Sequence, residues 1–142
     1  MMLSVPKHGW VNISIGDWSD RASYLTEVHL DILDALINLF GNRKVSSVYC
    51  DAEGWEYIIV FNFYNIYIIE DKEESPKLYH FDMSAKGLAE EVYKDISEHL
   101  YDWSLWSYDV EDEVKRVKCE NEIKEKLELL HVVLDKFNKG SM

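Results

Sequence analysis

VSSVYCDAEGWEYIIVFNFYNIYIIEDKEESPKLYHFD, residues 45–82, decides the fold. Val, Ile, Tyr and Phe crowd this stretch. Turn-forming residues cut it at Asp51-Ala52-Glu53-Gly54, at Tyr64-Asn65 and along the charged loop from Asp71 to Pro76. β-branched and aromatic residues fit a pleated, half-buried surface, while Gly, Pro, Asn and Asp supply tight turns. The segments between the cuts are Val45–Cys50, Trp55–Phe63, Ile66–Ile69 and Leu78–Phe81, and they read as an antiparallel meander.

Toward the N-terminus, Trp10–Ile15 alternates Val11, Ile13 and Ile15 with polar residues, the period of a half-buried strand, and Gly16-Asp17 breaks it. Thr26 is placed to cap a helix whose Val28, Ile32, Leu33, Leu36, Ile37 and Phe40 recur at helical spacing. Gly41-Asn42 supplies its stop. Toward the C-terminus, Ser84 caps a helix to about Leu100, built on Leu88, Val92 and Ile96. The stretch from Asp102 to Ser107 connects it to a final helix opening at Asp109. That helix carries two apolar stripes, Val110-Val114-Val117 and Ile123-Leu127-Leu130-Leu134-Phe137, more than a quarter-turn apart. It must break near Lys118 or serve two packing surfaces. The order β-α-β-β-β-β-α-α is that of an α+β domain, a sheet of four or five antiparallel strands carrying three helices.

The chain of 142 residues is 47% hydrophobic and 30% charged, enough for one domain spanning 1–142, with 1–8 and 139–142 expected as mobile tails. No apolar run is long enough to cross a membrane, and no basic segment followed by an apolar one opens the sequence, so a cytoplasmic location is expected. The net charge is -12, from 27 acidic and 15 basic side chains. Such a chain is repelled by nucleic acid and anionic membranes and drawn to basic surfaces, including the phosphate-binding clefts of nucleases.

No phosphate-cradling glycine loop, zinc-protease helix motif or cysteine pair of metal-ligand spacing appears, so neither metal nor cofactor is implied. His80 and Asp82 share one strand face, and Asp51 and Glu53 share a turn. These four define an enzyme alternative, set against a surface histidine and an ordinary hairpin turn. His131 has Asp135 one helical turn on, a spacing typical of a solvated contact.

Charge distribution carries more. From Glu90 to Glu113 there are nine acids and one base, interleaved with Tyr101, Trp103, Trp106 and Tyr108. Aromatic anchors rimmed by carboxylates suit the grip of a basic protein. The candidate binding residues are Asp102, Trp103, Trp106, Asp109, Glu111 and Asp112. Asp51, Glu53 and Trp55 form a second patch. The alternative for Trp103 and Trp106 is that they lock the inter-helix corner into the core.

Three segments in order carry a resemblance: Gly16-Asp17-Trp18 running into Ser23-Tyr24-Leu25-Thr26-Glu27-Val28, then Asp51-Ala52-Glu53-Gly54, then a late helix ending Asp102-Trp103. Over most of its length the chain resembles the small immunity proteins of bacterial polymorphic-toxin and contact-dependent inhibition systems, with no single family among them assigned. The resemblance implies a cytoplasmic α+β protein, not an enzyme, that neutralises one cognate toxin domain, frequently a nuclease. A regulatory or scaffold module with a neutral partner remains open beside it.

Cys50 and Cys119 sit in patterns that bury small apolar groups. Thiol titration of the unfolded, non-reduced protein is expected to find two free groups. Finding none would reveal a disulfide.

Overall fold

The computed structural model describes residues 1–107 and 112–140. Its elements are β1 (Trp10–Ile15), β2 (Trp18–Ser23), α1 (Val28–Asn42), β3 (Ser46–Asp51), β4 (Glu56–Phe61), β5 (Asn65–Asp71), β6 (Lys77–Asp82), α2 (Ala85–Ser97), α3 (Leu100–Ser104) and α4 (Glu113–Gly140). The fold is α+β, as expected. The meander forms one antiparallel sheet in the order β3-β4-β5-β6, and β1 and β2 form a separate hairpin.

β2 and the short α3 are the elements the sequence reading lacked: it expected three helices, with 102–107 as a connector, and α2 ends at Ser97 before α3 begins at Leu100. Gly16-Asp17 does not end the strand but turns it: Ile15 pairs with Trp18 across a two-residue loop. Gly16 has φ +58, the positive value such a hairpin loop takes at its first central position. A Cβ there would also lie 2.9 Å from the Phe81 ring, so the loop rests directly on β6. Trp18 and Ala22 fasten β2 to the core, with Trp18 edge-on to Tyr57 at 5.1 Å and its Nε1 donating to the buried Glu70 at 3.1 Å.

One face of the four-stranded sheet is lined by Val48, Cys50, Tyr57, Ile59, Phe61, Ile66 and Ile68, all buried. α1 packs against β3 on one side and α4 on the other. This explains why its buried residues run nearly all the way round, from Val28 and Ile32 to Leu30 and Ala35. Ser84 caps α2 as expected, its Oγ accepting from Gly87 N–H. Thr26 does not cap α1. The residue before the helix is Glu27, and the Thr26 carbonyl instead accepts Trp106 Nε1–H at 2.8 Å.

α4 runs unbroken through Lys118. Ile123, Leu127, Leu130 and Leu134 are buried, whereas Val114 and Val117 of the earlier stripe are exposed, Val114 at 77%. Val110 lies outside the described residues. The segment 1–8, expected as a loose tail, is tied down. Met2 and Leu3 are buried, Leu3 bridges Ile13, and both backbone N–H groups donate to Asp95 Oδ2, at 2.9 and 3.0 Å. The cysteines are free, Cys50 buried and Cys119 partly so. Burial pushes the Cys50 thiol up to about 12. Among the described residues no helix is long and apolar enough to cross a membrane.

Asp95 is thus a buried acceptor for two buried donors. Replacing it with Ala orphans both, and Asp95→Ala is expected to lose about 3 kcal/mol by urea denaturation, with Asp95→Asn losing less because one oxygen remains. Wild-type stability in Asp95→Ala would show that the N-terminal segment is held some other way.

Candidate functional site: the open face of the sheet

Strand alternation sends one set of side chains to the core and the other to the opposite face. The pairing registers stack that outer set into rows. Asp51, Glu56 and Asp71 lie side by side across β3, β4 and β5. The next row runs across all four strands as Tyr49, Ile58, Ile69 and Leu78, which are 44%, 37%, 39% and 66% exposed. Ser47, Val60, Tyr67 and His80 follow, and then Asn65 beside Asp82. No Lys or Arg occupies an outward strand position. The face is an apolar band with a carboxylate row along one end.

Local contacts fix this surface. Tyr49 Oη donates to Glu56, joining the apolar row to the acidic one, and that bond with the carboxylate holds the phenol up at about 12. His80 stacks on Tyr67 with ring centroids 4.8 Å apart, and its Nε2 lies 2.7 Å from Asn65 Oδ1 and 3.4 Å from Asp82. Like charges directly opposite one another in a sheet repel, by a few tenths to about 1 kcal/mol per pair. The row Asp51-Glu56-Asp71 is therefore present against the preference of the fold.

The anticipated residues fall in different places. Asp51 and Glu53 sit at the acidic end of this face. Asp51 Oδ1 accepts Glu53 N–H at 2.7 Å, and Glu53 takes φ +55 to complete the turn. Trp55 does not join them. It is partly buried, its Nε1 donates to Asp20 of β2 at 2.9 Å, and Arg21 and Lys72 lie 4.6 and 4.5 Å from its ring. The four residues of the enzyme alternative do not converge: Asp51 and Glu53 belong to the β3–β4 hairpin, and His80 and Asp82 to the opposite edge, three strand spacings or roughly 14 Å away. Asp135 pairs with Lys139 at 3.0 Å.

The helical patch is dismantled as a set of anchors. Trp103 and Trp106 are only 1% and 3% exposed, packed on each other and on His29, because ring area at this corner is what closes α3 onto α1. Asp102 is half-exposed beside His99, and Asp112 is exposed and accepts Val114 N–H at 2.8 Å at the start of α4. Asp109 and Glu111 lie outside the described residues. Arg116 binds Glu113 and Glu120 at 2.7 and 2.8 Å, so part of this acidic stretch is neutralised within the chain.

Among the described residues no group of three or more His, Cys, Asp or Glu is arranged to hold a metal ion. Comparison with known family models, curated proteins and solved structures gives no match.

His29 has a consequence for stability. Burial lowers its imidazole from the ordinary 6.5 to about 3, so it folds neutral. The unfolded chain takes up that proton below 6.5 and the folded chain does not. Stability from this residue is complete above about 6.5 and is lost as pH falls toward 3. His29→Phe is expected to keep the ring packing and to remove on the order of 3 kcal/mol of the destabilisation that wild type suffers between pH 7 and pH 4. Parallel pH–stability curves for the two proteins would contradict this.

Proposed function

We propose that the protein works by binding a basic protein through the open face of its sheet, and that its partner is the toxin domain implied by the resemblance to immunity proteins. One observation carries this reading. β4 and β5 are apolar on both faces, EYIIVF and NIYIIED, the pattern of strands covered on both sides. The helices cover only one. The exposed band Tyr49-Ile58-Ile69-Leu78 supplies desolvated contact area, and the row Asp51-Glu56-Asp71 supplies steering and register. A nuclease domain, basic where it grips phosphate, fits both, and a cytoplasmic inhibitor meeting an imported toxin has need of no catalytic group.

The combination separates this reading from a neutral scaffold, which needs the apolar band but gains nothing from three carboxylates that repel one another. Co-expression with the cognate toxin domain that this reading requires is expected to restore growth. The double variant Ile69→Lys, Leu78→Lys changes only exposed side chains. It is expected to melt as wild type does, to bind at least about thirtyfold more weakly and to fail in rescue. Full rescue by the double variant would remove this face from the interface, and a wild type that binds no basic domain would end the reading.

A further inference from the structure

The two edges of the four-stranded sheet are built differently. Proteins blunt exposed edges with Pro, Lys, bulges or very short strands. β6 enters through Pro76-Lys77. β3 contains no Pro, Lys or Arg, and its register with β4 is unbroken from Ser46 to Asp51. Its backbone direction follows from the turn. Ala52 N–H donates to the Trp55 carbonyl at 3.0 Å, so alternation makes Cys50, Val48 and Ser46 the residues that bond to β4. Ser47 and Tyr49 therefore turn their N–H and C=O groups to the open edge.

Beside that edge runs α1, and between them lies an open groove of about 540 Å³. Asp31, Asp34 and Asn38 line one wall, and Val45, Ser47 and Tyr49 the other. Lys126 of α4 offsets Asp34 at 2.6 Å. Desolvation, followed by repulsion from Asp34, raises the Asp31 carboxyl above its ordinary range.

We infer that β3 accepts an added strand: an extended segment of the protein partner with Lys or Arg at alternate positions. Strand alternation then directs the cations toward Asp31 and Asp34, and the intervening apolar residues beside Tyr49, prolonging the exposed band of the sheet by one strand. Charge complementarity selects this occupant over a second copy of the chain, because each copy carries -12. The inference rests on the binding reading above and names the piece of the partner that is gripped.

The probe is a ten-residue peptide of alternating Lys and Val, with alternating Glu and Val as control, added to the intact protein while amide exchange is followed by NMR. At saturation the basic peptide is expected to slow exchange at Ser47 and Tyr49 about tenfold or more, and the acidic peptide to leave them unchanged. Unchanged exchange with the basic peptide overturns strand addition, and equal protection by both peptides overturns the basic occupant. Ser47→Pro removes an edge N–H that the sheet does not use and is expected to abolish peptide binding; wild-type binding in that variant also overturns the proposal. If the variant does not fold, the exchange measurement on wild type still decides. Rescue of growth by Ser47→Pro but not by Ile69→Lys, Leu78→Lys would discard the added strand and leave the binding reading standing.

Discussion

The fold depends on α1 being buried on two sides. A helix that rests on a sheet needs one apolar stripe, but α1 carries Ile32, Leu36 and Leu39 together with Leu30, Leu33 and Phe40. The sheet satisfies only part of that surface. The rest requires α4, whose Ile123, Leu127, Leu130 and Leu134 are buried. α1 therefore sets the layering: sheet, central helix, outer helix. Phe40 shows the arrangement at one residue, lying edge-on to both Phe63 and Phe137.

This layering spends the apolar resources of the helices on one face of the sheet and leaves none for the other. β4 and β5 nevertheless carry Ile58, Val60, Tyr67 and Ile69 outward. In a chain with net charge -12 and ample polar residues, an apolar row across four strands does not follow from the demands of its own core. The adjoining carboxylate row runs against local sheet preference as well. These two departures from self-sufficiency fall on one surface, and the proposed binding reading rests on their coincidence.

Much of the fold was legible because periodicity survives packing. The alternation in Trp10–Ile15, the helical spacing in α1 and α2 and the cuts in residues 45–82 all reflect which side faces the core. β2 was not legible, since WSDRAS has no apolar alternation and holds through Trp18 and its pairing with β1, although Gly-Asp at the turn was a hairpin signal. Trp103 and Trp106 stood among acids, and the sequence left open whether they were interface anchors or the lock of the inter-helix corner; the structure has the second. Burial was decided by α3 folding back on His29, a contact between residues far apart in sequence. The outer rows were invisible for a related reason. Tyr49, Ile58, Ile69 and Leu78 become neighbours only through register, which one-residue slips would scramble.

The attachment of Met2 and Leu3 to Asp95 has a meaning for the order of synthesis. The segment around Met2 is made some 93 residues before the carboxylate that satisfies it. At translation speeds of about 5–20 residues per second, its apolar side chains wait roughly 5–20 s before α2 exists to receive them. Through that interval the β1–β2 hairpin is free to pair, since β2 ends at Ser23, while its apolar leader has no α2 to pack on. A segment that precedes the sheet waits for a helix that follows it, and chaperones that survey nascent chains have an extended opportunity there.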